Sequence, residues 1–401
     1  MRNQIWFVFA IFYILQLGLI VGCSTSPQLA SERSALEDAV DSIKTAYIPD
    51  RRVQIFDFDL SEDGHQLKGK TSNPESYQAI QNLKTRYPRL NLDSFLLVEP
   101  IGRALINVSV GNIRSFPRHS SELSTQALMG HEMIVWEKQG GWYYIQTPND
   151  YLGWIDFGAL KILSDEEQRD YQQAEKMMYR EDFGFCYTEP DASSPVISDL
   201  TAGNIFRKKG TSGNMLHIEL PDGREGYIPA NSAVDLESLR SREIPDWGSI
   251  KETAFQFLGR PYLWGGTSGK GVDCSGFTNM VYYLNGLELP RDASQQIKKG
   301  IEIPVDDRLT EVEPGDFLFF GTKDEDGRPD RVTHVAIYLG NGKMIHSSER
   351  VQVNSLFPED PDFAPSRKET LLIAKRMITD EEMEPELQLK AIKEDPSYGF
   401  H

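Results

Sequence analysis

The chain has 401 residues, of which 39% are hydrophobic and 25% are charged, a composition typical of soluble globular domains. This length exceeds that of one ordinary hydrophobic core, so we expect two to four domains. The formal net charge of −18 argues against a nucleic-acid-binding role, because proteins of that class carry basic surfaces that displace counterions.

The first 22 residues have the layout of a secretory signal peptide. A positive charge at Arg2 precedes an apolar stretch over Ile5–Val21, and the small residue Gly22 precedes Cys23. A cysteine at this place resembles a bacterial lipoprotein signal, which implies that Cys23 is lipidated and becomes the mature N-terminus. We therefore expect residues 1–22 to be removed and the protein to be anchored to a bacterial membrane, in the cell envelope and facing the periplasm. The alternative is an uncleaved membrane helix, for which the apolar stretch is barely long enough.

Residues 23–100 are predicted to form a flexible tether followed by a small α+β module. The predicted elements are a helix at Ser31–Tyr47, strands at Val53–Leu60 and Gln66–Thr71, a helix at Pro74–Tyr87 and a strand at Ser94–Val98. No residue pattern in this module indicates catalytic chemistry.

An internal repeat follows at a fixed offset of 73 residues. Gly130 corresponds to Gly203, and Gly153-Trp154-Ile155 corresponds to Gly226-Tyr227-Ile228. Each copy contains short strands between turns, which predicts two small β-barrels, over residues 101–163 and 182–240. Both resemble bacterial SH3-like domains.

A linker helix is predicted between the two copies, over residues 164–181. It begins at Ser164-Asp165-Glu166-Glu167, the pattern of a capping box. In the second copy, Cys186 is expected to be a small buried apolar residue, because no partner for a disulfide is evident.

The last domain is predicted over residues 247–378, followed by an acidic tail over residues 379–401. A helix at Ser249–Leu258 leads into a glycine-rich loop, and a second helix begins at Cys274 and ends at Asn285-Gly286. The predicted strands of this domain are Asp316–Phe320, Arg331–Leu339, Lys343–His346 and Leu371–Ile378.

The thiol of Cys274 is a candidate nucleophile because of its place at a helix start. A thiol attacks carbonyl groups well only as thiolate, and both a helix N-terminus and a neighbouring imidazolium lower its pKa. The free N–H groups of the first helical turn could also stabilise an oxyanion. The alternative is that Cys274 is an ordinary buried cysteine.

Two histidines favour the interpretation of Cys274 as a nucleophile over that of an ordinary buried cysteine. Val332, His334 and Ala336 are predicted to share one face of a strand, and Gly340-Asn341-Gly342 predicts a hairpin turn after it. His334 and His346 then pair directly if the hairpin is centred on residue 340, or become diagonal neighbours if it is centred on residue 341. In both registers one imidazole can take the thiol proton while the other orients it. A zinc site formed by the same three side chains is an alternative, but no short-spaced ligand pair supports it.

Five motifs of the last domain together resemble those of a known family. They are Tyr262-Leu263-Trp264-Gly265-Gly266, Asp273-Cys274-Ser275-Gly276-Phe277, Leu289-Pro290-Arg291-Asp292, Pro314-Gly315-Asp316 and His334-Val335-Ala336-Ile337-Tyr338. In this order they resemble the NlpC family of cell-wall cysteine peptidases, which have a papain-like α+β fold. The resemblance covers residues 247–378. It implies Cys274 as nucleophile, His334 as general base, His346 as the orienting residue and Tyr262 as a support of the oxyanion site.

The order of domains is similar to that of γ-D-glutamyl-L-diamino acid endopeptidases, whose pocket recognises a free N-terminal L-Ala. By motif, that amine would be bound by Asp273, Ser275, Asp292, Ser294 and, from the first barrel, Tyr151. Two positions depart from the subgroup, which can carry Glu where this chain has Ser124 and a serine where it has Ala293; Glu122 could replace the former. The alternative for Asp273 and Asp292 is a structural role as helix cap or ion-pair partner.

The sequence thus predicts a lipid-anchored enzyme that cleaves the γ-D-Glu–L-diamino acid bond of peptidoglycan stem peptides through an acyl-enzyme, without a cofactor or metal. An endopeptidase acting on intact peptidoglycan and a murein-binding scaffold with an idle catalytic domain are the alternatives.

Overall fold

The computed structural model describes residues 27–240, 244–379 and 391. The predicted signal peptide and Cys23 lie outside the described residues, as does most of the predicted acidic tail. Among the described residues, no helix is both long enough and apolar enough to cross a membrane. The chain has the expected mixed α+β composition and divides into two compact units, one formed by the residues up to Pro49 with Phe56–Leu97, the other by Asp50–Ile55 with all residues from Val98 onward.

The first unit packs two helices and a small sheet. Its elements are α1 (Pro27–Tyr47), β1 (Phe56–Leu60), β2 (Leu67–Thr71), α2 (Pro74–Arg86) and β3 (Phe95–Leu97). Strands β1 and β2 form an antiparallel hairpin, and β3 adds in parallel to β2. Leu36 and Val40 of α1 pack against Ile80 of α2 and the sheet residue Phe95, all buried. The first strand begins three residues later than predicted, because Asp50–Ile55 belongs to the other unit.

The second unit starts, after Asp50–Ile55, with two seven-stranded antiparallel sheets. The first β-domain contains β4 (Gly102–Ile106), β5 (Val110–Arg114), β6 (Leu123–Leu128), β7 (Glu132–Gln139), β8 (Trp142–Gln146), β9 (Leu152–Asp156) and β10 (Leu160–Leu163). Helix α3 (Asp165–Gln173) follows. The second β-domain contains β11 (Lys176–Tyr179), β12 (Gly184–Tyr187), β13 (Val196–Leu200), β14 (Ile205–Ser212), β15 (Met215–Glu219), β16 (Glu225–Pro229) and β17 (Ala233–Asp235).

The two β-domains have the same topology. The strand orders are β10-β4-β7-β8-β9-β5-β6 and β13-β12-β16-β15-β14-β11-β17, which match when one is read in reverse. Strands β7, β8 and β9 start 73 residues before β14, β15 and β16, so the sequence repeat is also a structural repeat. Cys186 is fully buried in the second core, as expected for a small apolar side chain.

The repeated glycines lie where chain segments approach closely. Gly130 and Gly203 both have positive φ values, 84° and 89°. A Cβ on Gly130 would lie 2.2 Å from the carbonyl oxygen of Ile205, and one on Gly203 would lie 2.6 Å from a ring carbon of Tyr283. The equivalent turn of each repeat therefore contacts the next domain: that of the first β-domain packs on the second, and that of the second packs on the C-terminal domain.

The linker helix is shorter than predicted. It ends at Gln173 instead of continuing to residue 181, and the expected capping box between Ser164 and Glu167 is present. Lys176–Tyr179 instead forms β11, which pairs with β14 and β17 and is buried along its whole length. A short apolar run such as Met177–Tyr179 has no periodicity that separates a buried strand from a buried helix, which explains the error.

The C-terminal domain packs helices on a six-stranded sheet. Its elements are α4 (Leu236–Arg240), α5 (Trp247–Gln256), β18 (Thr267–Ser268), β19 (Gly271–Val272), α6 (Cys274–Tyr283), α7 (Ala293–Gln296), β20 (Ile301–Ile303), β21 (Phe317–Lys323), β22 (Pro329–Gly340), β23 (Lys343–Ser347), β24 (Val351–Ser355), α8 (Pro365–Glu369) and β25 (Leu371–Arg376). The sheet order is β20-β25-β21-β22-β23-β24.

Both faces of this sheet are buried. Phe319, Val335 and Ile345 pack with α5 and α6, while Ala336 and Met344 pack on the opposite face. The first of these clusters continues into residues of both β-domains, so it connects the three domains of the second unit, while each β-domain also has a core of its own. Helix α6 is thereby held against β22, the strand that carries His334.

Candidate active site

Cys274 is the first residue of α6, as the sequence predicts. Asp273 caps this helix by accepting a hydrogen bond from the Gly276 N–H at 2.7 Å. The backbone N–H groups of Val335 and Ser275 lie close enough to the sulfur to lower the pKa of the thiol, so the thiol lies beside the strand residue that follows His334. The sulfur is therefore positioned by both the helix start and the central sheet.

The pKa of the thiol differs from the expectation. Burial, reinforced by the negative charge of Asp273, raises the pKa of Cys274 to about 11, although the backbone N–H donors and Arg291 oppose the shift. Cys274 is 9% exposed, and the predicted lowering by the helix N-terminus is outweighed by this desolvation. At rest Cys274 is thus a protonated thiol, which would have to lose its proton to act as a nucleophile.

The two histidines meet through the diagonal register. Ile337 pairs with Ile345 and Tyr338 with Met344, which centres the hairpin on residue 341. His334 Nε2 and His346 Nδ1 lie 2.7 Å apart. A bulge at Thr333 corrects one prediction: Val332 packs with the α6-side cluster, whereas Ala336 faces the other side, so they do not share a face.

Asn354, which the sequence analysis missed, fixes the protonation of both rings. Its Nδ2 donates to the Asp362 carbonyl at 3.2 Å, which orients its Oδ1 toward His346 Nε2 at 2.9 Å. Because an amide oxygen only accepts, His346 carries its proton on Nε2 and accepts through Nδ1. His334 then donates through Nε2, and its Nδ1 remains an unprotonated base.

Both rings are neutral at rest. Burial, with the nearby charges of Arg367 and His346, holds the pKa of His334 well below its usual 6.5. Burial lowers the pKa of His346 to about 4, although the bond to Asn354 opposes the shift. In the described parts of the chain, no group of three or more His, Cys, Asp or Glu side chains is arranged to hold a metal ion.

Tyr262 lies beside the thiol, in the loop before α6. Its backbone pairs with Val272, and burial, together with the charges of Cys274 and Asp273, raises its pKa to about 12. The phenol therefore keeps its proton at neutral pH and can donate a hydrogen bond to a developing oxyanion.

A cleft of about 430 Å³ opens over the thiol. Its wall is supplied by the C-terminal domain, by the first β-domain and by one residue of the 50–55 segment. The lining residues with polar or reactive side chains are Arg52, Glu122, Ser124, Tyr151, Tyr262, Trp264, Asp273, Cys274, Ser275, Asp292, Ser294, Arg331 and Thr333. The structure thus brings Tyr151 of the first β-domain to the same cleft as Cys274.

Asp273 is occupied by structural partners. Arg291 donates to both of its carboxylate oxygens, at 3.1 and 2.6 Å, and Gly265 N–H donates at 3.0 Å. Ser275 Oγ accepts from the same guanidinium at 3.0 Å. Arg291 is 1% exposed, so the pair is a buried element of the fold. This favours the cap and ion-pair alternative for Asp273, and sequence reasoning gave Arg291 no role.

Asp292 is a carboxylate of the cleft with partners from two other parts of the chain. Tyr151 donates to its Oδ2 at 3.1 Å, and Arg52 Nη1 donates to the same oxygen at 2.7 Å. Arg52 Nη1 also donates to Ser294 Oγ at 2.9 Å. Asp292, Ser294 and Tyr151 therefore lie together, as the sequence predicts, but Arg52 was not expected among them.

The two sequence departures, Ser124 and Ala293, both line the cleft, as does Glu122, the expected replacement for the missing carboxylate. Glu122 accepts a hydrogen bond from Trp264 Nε1 at 2.7 Å, which links the first β-domain to the loop before α6.

Two parts of the chain match known protein families. Residues 259–361 match the model of the NlpC/P60 family, and residues 109–160 match that of the bacterial SH3 domain. The second β-domain has the same topology as the first, and its assignment as an SH3 domain stays a prediction.

Relatives with established names are similar over most of their length. The chain is 30% identical to the γ-D-glutamyl-L-lysine dipeptidyl-peptidase of Bacillus subtilis, over 56% of this chain and 72% of the relative. It is 28% identical to dipeptidyl-peptidase 6 of Lysinibacillus sphaericus, over 64% and 93%. The crystal structure of an NlpC/P60 family protein from Bacillus cereus superposes with a TM-score of 0.59 and 25% identity, over 69% of this chain and 99% of that one.

Proposed function

The chain belongs to the NlpC/P60 family and is a cysteine peptidase acting on the cell wall, and on this premise we propose that it hydrolyses the γ-D-Glu–L-diamino acid bond of peptidoglycan stem peptides that begin with a free L-Ala. The observation that carries this substrate is Asp292, a carboxylate in the nucleophile's cleft that the first β-domain helps to orient through Tyr151. A carboxylate so placed suits an ammonium group. The name of the Bacillus subtilis relative, a γ-D-glutamyl-L-lysine dipeptidyl-peptidase, supports this type of bond, and that of the Lysinibacillus sphaericus relative, dipeptidyl-peptidase 6, supports release of a dipeptide.

The first half-reaction forms a thioester. His334 Nδ1 takes the proton of the Cys274 thiol as the sulfur attacks the γ-carbonyl carbon of D-Glu, and the carbonyl electron pair moves to the oxygen. The resulting oxyanion is stabilised by the Cys274 backbone N–H and by the Tyr262 hydroxyl. When the intermediate collapses, the C–N bond breaks and His334 gives its proton to the departing amine of the diamino acid.

The second half-reaction restores the enzyme. His334 takes a proton from water while the water oxygen attacks the thioester, and collapse breaks the S–C bond and releases L-Ala-γ-D-Glu. The proton returns to the sulfur. His346 holds the His334 ring in one tautomer throughout, because Asn354 accepts from its far nitrogen.

The proposal also includes location. The layout of residues 1–23 supports export and lipid attachment at Cys23, which would hold the enzyme where stem peptides occur. A test is palmitate labelling of the full-length protein in cells, with Cys23→Ser as the comparison; equal labelling of the two proteins would reject the anchor.

The activity is tested with a defined tripeptide. Purified protein is incubated with L-Ala-γ-D-Glu-diaminopimelate, and products are identified by mass spectrometry. We expect release of L-Ala-γ-D-Glu, its loss in Cys274→Ala, and much slower cleavage when the L-Ala is N-acetylated. Equal cleavage of free and acetylated peptides, or release from intact sacculi at a comparable rate, would refute the proposed specificity.

A further inference from the structure

The 50–55 segment is fixed onto the wall of the cleft. Its residues belong to the same compact unit as the β-domains and the C-terminal domain. The Leu152 N–H donates to the Arg52 carbonyl at 2.7 Å, and Gln146 Nε2 donates to the Val53 carbonyl at 2.9 Å. These bonds join the segment's main chain to β8 and β9 of the first β-domain. Arg52 is therefore presented to the cleft from an anchored backbone.

The guanidinium of Arg52 is held at both of its edges. Nε and Nη2 donate to the two carboxylate oxygens of Asp50, at 2.8 and 2.7 Å, and Gln295 Nε2 donates to Asp50 at 2.7 Å. The remaining nitrogen, Nη1, donates to Asp292 and Ser294. A planar guanidinium with five donors can form a bidentate pair with one carboxylate and still donate to other acceptors, whereas a lysine ammonium has three donors and no rigid fork.

The charges leave Asp292 able to bind a cation. Asp50 and Arg52 form a bidentate pair whose charges cancel, so the carboxylate of Asp292 contributes a net negative charge to this group of three. Arg52 and Tyr151 both bind Oδ2, the Asp292 side chain also accepts from the Gln295 N–H as part of a capping box, and Oδ1 forms a longer ion pair with buried Arg291 at 3.9 Å. Since a carboxylate accepts about four hydrogen bonds, acceptor capacity remains for an ammonium.

We propose that Arg52 is a positioning residue that sets the enzyme's preference for a free amine, by fixing the orientation of Asp292, the carboxylate that binds the substrate ammonium. The inference rests on the proposed function. It adds a third part of the chain, besides the C-terminal domain and the first β-domain, to the subsite that reads the peptide's N-terminus. Preorienting a carboxylate in this way lowers the cost of ordering it when substrate binds.

The test compares full-length variants on free and N-acetylated L-Ala-γ-D-Glu-diaminopimelate. Arg52→Met keeps much of the side-chain volume but has no charge or donor. We expect its KM for the free peptide to rise roughly tenfold, the scale of one charge-assisted hydrogen bond, with kcat nearly unchanged and the acetylated peptide unaffected. Arg52→Lys should recover part of the loss. Arg51→Met is the matched control, because Arg51 is the adjacent cation and does not line the cleft.

Each outcome decides the question. If the wild-type enzyme prefers the free peptide and Arg52→Met keeps that preference, Arg52 has no positioning role. A lower KM for the free peptide in Arg52→Met would show that Arg52 competes with the amine, which also overturns the proposal. If thermal denaturation shows that Arg52→Met does not fold, Arg52→Lys decides the question by its preference for the free over the N-acetylated peptide. Wild-type enzyme without any preference would refute the proposed function itself, and the role of Arg52 with it.

Discussion

The protonation state of Cys274 is open to a direct test, in which pH is the perturbation. Burial and the charge of Asp273 raise the pKa of this thiol to about 11. At pH 7 the thiolate then makes up roughly one molecule in 10⁴, and its fraction grows about tenfold for each pH unit. Because iodoacetamide reacts with the thiolate, the alkylation rate of Cys274 should rise about a thousandfold between pH 6 and pH 9. A preformed thiolate–imidazolium pair would instead give a nearly constant rate above pH 5.

The assay is alkylation followed by mass spectrometry of the peptide that contains Cys274, which separates its reaction from that of Cys186. Cys186 is fully buried in the second β-domain and should remain unlabelled in folded protein. Labelling of the Cys274 peptide at an equal rate across pH 5–8 would refute the account, because it would show that His334 already holds the proton at rest.

The same electrostatics fixes the acid limit of catalysis. The pKa of His334 is well below 6.5 because the ring is buried and faces the charge of Arg367. Activity requires the neutral ring, so kcat/KM should persist at pH 6 and be lost only as the pH falls through that lowered pKa. A half-loss of kcat/KM at or above pH 6.5 would contradict this assignment.

Two further substitutions test how the site and the fold are supported. Asn354→Leu removes the acceptor that fixes the His346 tautomer, at a cost of about 0.5–1.5 kcal/mol. We therefore expect kcat to fall roughly three- to tenfold with KM little changed. An unaltered kcat in steady-state kinetics would argue against a role of Asn354 in orienting the histidines. Gly203→Ala adds a Cβ at positive φ, 2.6 Å from Tyr283, and should lower the free energy of unfolding by about 2–4 kcal/mol in urea titrations. Gly210→Ala, which meets no atom within 4 Å, should change it by less than about 0.5 kcal/mol, and equal effects of the two would exclude a packing cause.

Much of the fold could be predicted because its signals are local or periodic. The fixed offset of 73 residues anticipated two sheets of equal topology, and the capping box at Ser164 located the start of α3. The prediction from local pattern failed at β11 (Lys176–Tyr179), a strand of only four residues that is buried along its whole length. Its pairing with β14 and β17 depends on contacts distant in sequence, which a local pattern does not contain.

The proximity of the two candidate catalytic histidines was predictable for a geometric reason. His334 and His346 lie on adjacent strands joined by a short hairpin, so the parity of their spacing fixes that they share a face, whichever register forms. The bulge at Thr333 was not predictable, because it depends on how β21 pairs with β22. Asn354 was missed because β24 has no catalytic motif, and only its register with β23 brings it to His346.

The environment of the candidate binding residues was harder to predict, because their partners come from separate segments. Asp273 and Asp292 both carry a carboxylate near the thiol, yet only the structure shows that Arg291 occupies the first. Nothing in the sequence near Arg52 marks it as a cleft residue, since it lies 240 positions from Asp292. Its placement depends on main-chain bonds to β8 and β9.

This division between chemistry and recognition has a consequence for how specificity can change. Cys274, His334, His346 and Asn354 lie within one domain and are positioned by one helix and three adjacent strands. The carboxylate end of the cleft instead depends on Tyr151 and the 50–55 segment, which reach it from outside that domain. Under the proposed function, we expect substitutions in those outer segments to alter which peptide ends are accepted while the proton transfers at sulfur stay the same. Selection on substrate choice would then act mainly on parts of the chain that contain no catalytic residue.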